Sequence, residues 1–323
     1  MTGVTVITGS RLHFGPLSVA APAGGRFGGV GVMIESPGLE LTAQFAKTDS
    51  VNGDPETVRR IGEFLGRIRS EVCQEQRSAY EITVGRSIPF HRGFGSGTQL
   101  GLAVAKAVST LTNEPRPILA TLARRVGRGL RSAIGLYGFD SGGFLVDGGR
   151  AEANRLGTLV ARVDFPSAWR FVLAMPKAAA GLSGAAEQSA FAKQPPMPAS
   201  LTGELCRIVL MDWLPAVIEA DFEQCSDSMY QFGHAVGEFF SPAQGGVFAH
   251  PRMSEWARMI RSRGIRGVAQ TSWGPTLAAL CVDETAAQQL QQDFANDPNW
   301  SDCTFEVVSA RNRGASVVTL SIS

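Results

Sequence analysis

The sequence predicts an α+β protein built from two domains that share a cleft. At 323 residues the chain is longer than one hydrophobic core usually supports. Short apolar stretches bounded by Gly and Pro alternate with segments of helical periodicity, which indicates mixed strands and helices. We place the boundary at residue 165, so that the predicted domains are residues 1–165 and 166–323.

The first domain is predicted to open with strands and to continue with helices. Apolar stretches predict strands at 4–8, 29–34, 39–45 and 79–85, with a later one at 144–146. Asp54 is a favoured helix N-cap and Pro55 suits the first helical position, so a helix is expected from there to about residue 73. A strongly apolar helix covers Leu100 to Leu111, and a further helical stretch lies at 117–127.

The second domain is predicted to mix strands with helices that pack on one face of a sheet. Its predicted strands lie at 171–175, 266–270, 276–282, 304–309 and 316–321. Helices are expected over much of 184–263 and at about 284–295. This arrangement is typical of an α+β domain.

Composition and charge exclude several classes of protein. Lys and Arg number 30 against 29 Asp and Glu, so the chain has no overall basic field for nucleic acid or an anionic membrane. Its five cysteines are dispersed, which fits reduced thiols and predicts no disulfide or structural zinc. Neither a signal peptide nor an apolar run of roughly 18 residues is present, so we expect a cytoplasmic protein outside the membrane.

A glycine-rich turn before the apolar helix is the strongest candidate for a binding site. The turn runs Gly93-Phe94-Gly95-Ser96-Gly97-Thr98. Its three glycines allow backbone N–H groups at a helix start to approach phosphate oxygens, and Ser96 and Thr98 add hydroxyls, one of which could bind Mg²⁺. The alternative is a tight turn whose glycines only satisfy positive φ angles. No Gly-Lys-Ser or Gly-Lys-Thr follows, so it is not a Walker motif.

Several motifs in chain order resemble one superfamily. The segment from Pro89 to Ala103 resembles the phosphate loop of the galactokinase, homoserine kinase, mevalonate kinase and phosphomevalonate kinase (GHMP) superfamily, and Gln270 to Thr276 resembles its C-terminal glycine motif. Within it, the chain most resembles the β-ribofuranosylaminobenzene 5′-phosphate synthases of methanopterin biosynthesis. The motifs that carry this resemblance are Arg11–Gly15, Gly28–Gly31, Gly93–Gln99, Gly127–Gly129 with Arg131-Ser132, Gly142–Phe144 with Val146–Gly149, Gly181–Gly184 and Ser272–Thr276. Thr98-Gln99 and Trp273 depart from the kinase pattern and agree with the synthases.

The resemblance implies a GHMP-kinase-like fold, with an N-terminal βαβ domain like that of a ribosomal protein and a C-terminal ferredoxin-like domain. It also implies a reaction: phosphoribosyl pyrophosphate condenses with 4-hydroxybenzoate or 4-aminobenzoate to a carbon-linked riboside 5′-phosphate, releasing CO₂ and pyrophosphate, with Mg²⁺ as cofactor. The expected partners are these small molecules, and a homodimer remains an option. Two alternatives stay open: an ATP-dependent small-molecule kinase of the superfamily, and a non-catalytic protein that binds a nucleotide without turnover.

The resemblance also suggests roles for residues of the turn and of the first domain. Gly93 to Thr98 and Arg11 would bind phosphate. Asp140, near where the kinases carry an acidic residue, would stabilise the sugar cation and bind Mg²⁺ together with Ser96. His13 and Arg26 lie beside glycine-containing turns and would clamp the 5′-phosphate or the benzoate. The alternatives are an Asp140 that only caps the next turn and arginines in surface ion pairs.

The second domain contributes the remaining candidates. Ser272, Trp273 and Gly274 of the C-terminal glycine motif, and Glu187, would contact substrate across the cleft. Phe239 and Phe240 are predicted to lie in the core or a subunit interface rather than in an aromatic substrate pocket.

Overall fold

The computed structural model describes residues 2–19, 27–71, 78–115, 117–129, 132–152, 155–178 and 194–321. Two β-sheets with helices packed on them carry the fold, which confirms the predicted α+β class. None of the helices in these ranges is long and apolar enough to cross a membrane.

The elements follow the chain in this order. The strands are β1 (Thr2–Gly15), β2 (Gly29–Ala46), β3 (Ser50–Asn52), β4 (Ala79–Arg86), β5 (Phe144–Asp147), β6 (Leu159–Val163), β7 (Arg170–Pro176), β8 (Val268–Gln270), β9 (Leu277–Cys281), β10 (Cys303–Ser309) and β11 (Ser316–Ser321). The helices are α1 (Pro55–Arg69), α2 (Ser96–Leu111), α3 (Leu119–Arg125), α4 (Ile134–Ser141), α5 (Ala199–Arg207), α6 (Leu214–Glu219), α7 (Phe222–Gln244), α8 (Pro251–Ser262) and α9 (Glu284–Ala295). A π-helical stretch, Ile208–Trp213, joins α5 to α6, and a 3₁₀ turn, Pro298–Trp300, follows α9.

The first sheet contains the predicted βαβ unit. Its strand order is β11-β1-β2-β4-β3, and β5 pairs with another part of β2 and carries β6 on its far side. β3 and β4 are parallel and α1 connects them. As predicted, Asp54 caps α1, because its carboxylate accepts hydrogen bonds from the backbone N–H groups of Glu56 and Thr57, both at 3.0 Å.

The long strand β2 merges two stretches that the sequence predicted as separate strands. Pro37 and Gly38 interrupt the apolar pattern, but the strand continues because β1 pairs with both of its halves. The register of this pairing shifts between Thr8 and Ser10 of β1, and Pro37 and Gly38 of β2 lie opposite the shift. As a result, the first half of β2 pairs with β5 and the second half with β4.

The second sheet has the order β10-β7-β9-β8, with all neighbours antiparallel. Helices α5 to α8 connect β7 to β8, and α9 connects β9 to β10. In chain order this is the β-α-β-β-α-β pattern of the predicted ferredoxin-like domain.

The last strand departs from the predicted domain division. β11 was assigned with residues 166–323 to the second domain, but it pairs antiparallel with β1 of the first sheet. Val4 lies opposite Thr319, and Val6 lies opposite Val317. The pairing covers the edge of β1, whose backbone groups would otherwise lack partners. The boundary at residue 165 itself stays a prediction.

Helix α4 has no counterpart among the predicted elements, because its eight residues include Gly135 and Gly138 and few polar residues. The glycines serve close packing. A Cβ at Gly138 would lie 2.4 Å from the Met33 sulfur of β2, and one at Gly135 would contact the Thr98 methyl group at 3.4 Å. The helix therefore lies closer to the sheet and to α2 than a helix with larger side chains could.

A buried glutamine fixes the start of α2. Gln99 is fully buried, and its carbonyl oxygen accepts a hydrogen bond from the Thr8 hydroxyl at 2.9 Å. Its amide nitrogen donates to the Gly135 carbonyl oxygen at 2.8 Å. One side chain thus connects α2 to β1 and to α4.

We expect Gln99→Leu to lower the free energy of unfolding by about 1–3 kcal/mol, because the Thr8 hydroxyl and the Gly135 carbonyl would stay buried without this partner. Urea unfolding measures the change. Gln289→Leu, on the exposed side of α9, is the matched control and is expected to have little effect. An equal effect of the two substitutions would show that the Gln99 hydrogen bonds do not stabilise the fold.

Candidate active site

The predicted phosphate turn begins helix α2. Gly95 is the N-cap residue with a φ angle of 71°, and Gly93 has a φ angle of 89°, so both occupy the conformation that favours glycine. No side chain caps this helix. The N–H groups of its first turn therefore face the glycine turn, where they can bind an anion. Ser96 and Thr98 lie half-buried in the same turn.

The C-terminal glycine motif of the second domain packs directly against this turn. The Thr271 hydroxyl donates a hydrogen bond to the Gly93 carbonyl oxygen at 2.8 Å and accepts one from the His13 backbone N–H at 3.0 Å. A Cβ at Gly274 would lie 2.3 Å from the Arg92 carbonyl oxygen, so only glycine fits there. The two motifs that the resemblance links are therefore in contact.

Arg11 lies beside the turn, as predicted. Its guanidinium donates to the Gly93 carbonyl oxygen at 3.2 Å, and its backbone N–H donates to the Phe94 carbonyl oxygen at 3.1 Å. The Arg11 side chain lies 3.0 Å from the position that a Cβ on Gly95 would take. A cation is thereby held against the N-terminus of α2.

Two further arginines, which the sequence analysis did not assign, flank the other side of the turn. Arg128 Nη2 lies 2.9 Å and Arg60 Nη1 lies 3.1 Å from the position of a Cβ on Gly97. The Arg60 guanidinium packs over the Phe90 ring at 4.6 Å, and that of Arg128 lies 5.4 Å from the centre of the Phe64 ring. The Gly127-Arg128-Gly129 motif was a signal for Arg128, whereas nothing in the sequence distinguishes Arg60 from a surface arginine of α1.

The Glu56 carboxylate beside this turn is already hydrogen-bonded to Arg60 and His91. Glu56 accepts hydrogen bonds from Arg60 Nε at 2.9 Å and from His91 Nε2 at 3.1 Å. Burial opposes ionisation of Glu56, but Arg60 and His91 together hold its pKa below the usual value. Within the described ranges, no group of three or more His, Cys, Asp or Glu side chains could hold a metal ion. The protein groups here fit an anion better than a metal.

His13 is buried and neutral. Its side chain is 8% exposed, and its Nε2 atom lies 3.2 Å from the Ser132 hydroxyl oxygen. Burial, together with the nearby charge of Arg11, lowers the pKa of His13 well below its usual value. The imidazole can therefore offer a hydrogen bond at neutral pH but not the positive charge that a phosphate clamp would use.

Asp140 does not lie where its predicted catalytic and metal-binding roles require. It is exposed in the last turn of α4, and its backbone carbonyl packs against Gly314. The contact between α4 and the phosphate turn is made by Gly135 at the other end of the helix, roughly 7.5 Å away along the axis. Because this segment is a helix, the Asp140 carboxylate is carried away from Ser96. The predicted Ser96–Asp140 metal pair is not formed.

A different carboxylate, that of Asp147, is buried behind the site. It is 1% exposed and accepts hydrogen bonds from the backbone N–H groups of Ala133 and Gly149, both at 2.8 Å. Burial raises its pKa, although these two hydrogen bonds oppose the shift. Asp147 fixes the start of α4 and with it the position of Ser132 beside His13. Its place in the Val146–Gly149 motif was the signal in the sequence.

An apolar pocket borders His13 between β1, α7 and the C-terminal glycine motif. It is lined by His13, Phe14, Gly15, Pro16, Gly233, Val236, Gly237, Phe240, Gln244, Val247, Gln270, Ser272 and Trp273. The Phe240 and Trp273 rings meet edge to face with their centres 4.9 Å apart. Phe240 is 5% exposed and belongs to the hydrophobic core, as predicted, and its ring also forms part of the pocket wall.

The remaining predicted residues divide into two groups. Ser272, with a φ angle of 54°, and Trp273 both line this pocket. Arg26 and Glu187 lie outside the described residues, as do Arg131 and the Gly181–Gly184 motif.

Comparisons with known proteins agree with this arrangement. Residues 58–142 match the family model of the GHMP kinases N terminal domain. A beta-ribofuranosylphenol 5'-phosphate synthase of Archaeoglobus fulgidus is 30% identical over an alignment of 331 positions, which covers 96% of this chain and 98% of that protein. A synthase of the same name from Methanothermobacter thermautotrophicus is 30% identical over 84% of this chain and 87% of its own length.

Among solved structures, mevalonate diphosphate decarboxylase from Staphylococcus aureus has a similar fold. Its TM-score is 0.67 at 13% sequence identity, and the match covers 98% of both chains. At this identity the similarity shows the fold alone.

We expect Gly97→Ala to weaken the binding of inorganic pyrophosphate roughly tenfold, because the added methyl group would displace the Arg60 and Arg128 guanidinium groups. Gly97 has an ordinary helical backbone, so the substitution adds no strain of the main chain. Isothermal titration calorimetry measures the affinity. Gly62→Ala in α1, where a Cβ would meet nothing within 4 Å, is the matched control. Equal affinities of the two variants would exclude this pair of arginines from the anion site.

We expect the stability of the protein to fall as the pH drops below about 6.5, the usual pKa of histidine. The folded state holds the pKa of His13 below that value, so the unfolded chain binds more protons in this range and the free energy of unfolding decreases. His13→Gln should flatten the dependence below about pH 6.5. Denaturant unfolding at several pH values tests this. An unchanged slope in His13→Gln would contradict the assignment.

Proposed function

The chain belongs to the family of the beta-ribofuranosylphenol 5'-phosphate synthases, which are pentosyltransferases of the GHMP kinase superfamily, and on that basis we propose its reaction. The proposed reaction condenses phosphoribosyl pyrophosphate with a 4-substituted benzoate and releases CO₂ and pyrophosphate, as a step of tetrahydromethanopterin biosynthesis. The names of these relatives contain a phenol, which favours 4-hydroxybenzoate over 4-aminobenzoate as the acceptor. The observation that carries the proposal is the similarity to these synthases over nearly the whole chain, including the phosphate turn and the motif packed against it.

The phosphate turn suits a leaving pyrophosphate. As the bond between the anomeric carbon and the pyrophosphate oxygen breaks, negative charge grows on the departing group. The N–H groups at the start of α2 and the guanidinium groups of Arg11, Arg60 and Arg128 are held in place before that charge develops. Fixed donors of this kind stabilise a transition state because they need no reorganisation during the reaction. The same amides would serve a nucleotide phosphate in a kinase, so a change of leaving group requires no change of fold.

The acceptor supplies its own nucleophile and its own second leaving group. The ring carbon that bears the carboxylate attacks the anomeric carbon, helped by electron donation from the hydroxyl group opposite. The bond from that ring carbon to the carboxylate then breaks, CO₂ departs, and the electron pair returns to the ring and restores its aromaticity. No covalent enzyme intermediate is needed. The residues must bind and orient the two substrates within reach of each other.

The structure changes the roles that were expected for Asp140 and Mg²⁺. Asp140 takes no part in this mechanism, because its side chain lies outside the cluster around the phosphate turn. Mg²⁺ often accompanies pyrophosphate and is bound largely through phosphate oxygens and water. The described protein groups do not form a carboxylate site for it, so we assign it no protein ligand and no step. The expectation of Mg²⁺ stays a prediction.

The assay for this function counts both products. We expect the purified protein with phosphoribosyl pyrophosphate and carboxyl-labelled 4-hydroxybenzoate to release labelled CO₂ and pyrophosphate in equal amounts, without ATP. Unsubstituted benzoate is the control, because without an electron donor opposite the carboxylate its ring carbon is a poor nucleophile.

Two results would contradict the proposal. Phosphate transfer from ATP to a hydroxyl substrate, with no label released, would identify a kinase of the superfamily instead. Tight binding of a nucleotide without turnover of any substrate would identify a non-catalytic member.

A further inference from the structure

We propose that the apolar pocket between β1, α7 and the Thr271–Gly274 turn binds the aromatic ring of the acceptor acid. This inference rests on the proposed function, since it assigns the second substrate of that reaction. Neither the family similarity nor the phosphate turn identifies where that substrate binds.

The lining of the pocket matches an uncharged planar group. Its walls are aromatic and aliphatic, with the Phe240 and Trp273 rings on one side and Val236 and Val247 beside them. Among the residues that the structure describes, none of those lining the pocket is Lys, Arg, Asp or Glu. A sugar phosphate would lose its hydration here without gaining an ion pair, whereas the ring of a benzoate gains from burial against such walls if its carboxylate stays outside the pocket, on the side of the sugar.

The width of the pocket is set by a close approach of α7 to β1. Gly15 has a φ angle of 143°, and a Cβ there would lie 2.6 Å from a methyl carbon of Val236. One residue further along α7, a Cβ at Gly237 would lie 2.4 Å from the Val247 carbonyl oxygen. The two glycines therefore let α7 pack closely against β1 and against Val247, which leaves a narrow space between them.

The pocket and the phosphate turn share a wall. Ser272 lines the pocket, and its backbone N–H donates to the His13 carbonyl oxygen at 2.6 Å. The preceding residue, Thr271, donates its hydroxyl proton to the Gly93 carbonyl oxygen of the phosphate turn. A ring in the pocket would therefore lie next to a sugar whose pyrophosphate occupies the turn, as a bimolecular condensation requires.

Two amide side chains give the pocket a polar edge. Gln270 Nε2 donates to Gln244 Oε1 at 3.1 Å and to the Ser272 carbonyl oxygen at 2.9 Å, and Gln270 Oε1 accepts from the Ala249 backbone N–H at 2.7 Å. These bonds orient the Gln244 oxygen, which has a second lone pair to accept another hydrogen bond. A hydroxyl or amine opposite the carboxylate can donate to it. A methoxy group cannot.

The first test separates binding of the acid from binding of the sugar. We expect Phe240→Ala, which removes a wall, and Val247→Phe, which fills the space, each to raise KM for 4-hydroxybenzoate at least tenfold while KM for phosphoribosyl pyrophosphate stays within about twofold. Phe239→Ala is the matched control, because that ring contacts Phe240 at 4.9 Å but does not line the pocket. If both pocket variants keep the wild-type KM for the acid while the enzyme turns over, the pocket assignment is overturned and the proposed function stands.

If the protein shows no turnover, direct binding of 4-hydroxybenzoate tests the pocket assignment. Titration of the wild-type protein with 4-hydroxybenzoate should change the tryptophan fluorescence, and this change should be lost in Trp273→Phe. In Phe240→Ala the same titration should show an affinity roughly tenfold lower than that of the wild type. With the proposed function refuted, such binding would still support a pocket for aromatic acids. Unchanged binding in Phe240→Ala and Val247→Phe, or no binding to the wild type, would overturn the inference.

The hydrogen bond proposed at the polar edge of the pocket is tested by comparing the affinities for two acids. We expect the wild type to bind 4-hydroxybenzoate roughly tenfold more tightly than 4-methoxybenzoate, and Gln244→Leu to remove most of that preference. Equal affinities of the wild type for the two acids would refute the assigned orientation of the ring.

Discussion

The Thr271 hydroxyl is the contact on which the geometry of the site depends. It donates to the carbonyl oxygen of Gly93 and accepts from the backbone N–H of His13, so one oxygen atom joins the phosphate turn, the strand β1 and the glycine motif of the second sheet. Two residues that follow Thr271 complete the joint, because the Ser272 backbone N–H donates to the His13 carbonyl oxygen and Gly274 allows contact with the turn. The anion site and the apolar pocket keep their relative positions through this joint.

Charge is distributed unevenly around that joint. On the side of the phosphate turn, three arginines surround the first turn of α2, and the one carboxylate described among them, Glu56, is paired with Arg60 and His91. On the side of the pocket, the described lining residues include no Lys, Arg, Asp or Glu, and burial keeps His13 neutral. The chain is nearly balanced overall, with 30 basic and 29 acidic residues, so this contrast arises from placement and not from composition. The turn flanked by arginines and the apolar pocket therefore differ in the kind of chemical group that each can hold.

Local patterns predicted most of the secondary structure and the glycine turn at the start of α2. The cap of α1 at Asp54, the helix at Glu284–Ala295 and the strands of the second sheet follow from capping and periodicity, which neighbouring residues determine. Contacts between distant residues could not be predicted in this way. Arg60 becomes part of the site only because α1 packs beside α2, and Asp140 leaves it only because the glycine-rich segment before it is helical. The pocket likewise combines β1 with residues more than two hundred positions away.

The pairing of β11 with β1 has a consequence for how the protein is made. Thr2 and Ser321 are partners in one ladder, so the first sheet closes only after all the residues from Thr2 to Ser321 have left the ribosome. Until then the edge of β1 lacks its partner, and a chain with such long-range pairing is expected to fold slowly and to be vulnerable to aggregation while it waits. The native first sheet would then form only when β11 leaves the ribosome and pairs with β1, and not when either domain alone has been synthesised. A chaperone that shields β1 during synthesis would have its greatest effect in that interval.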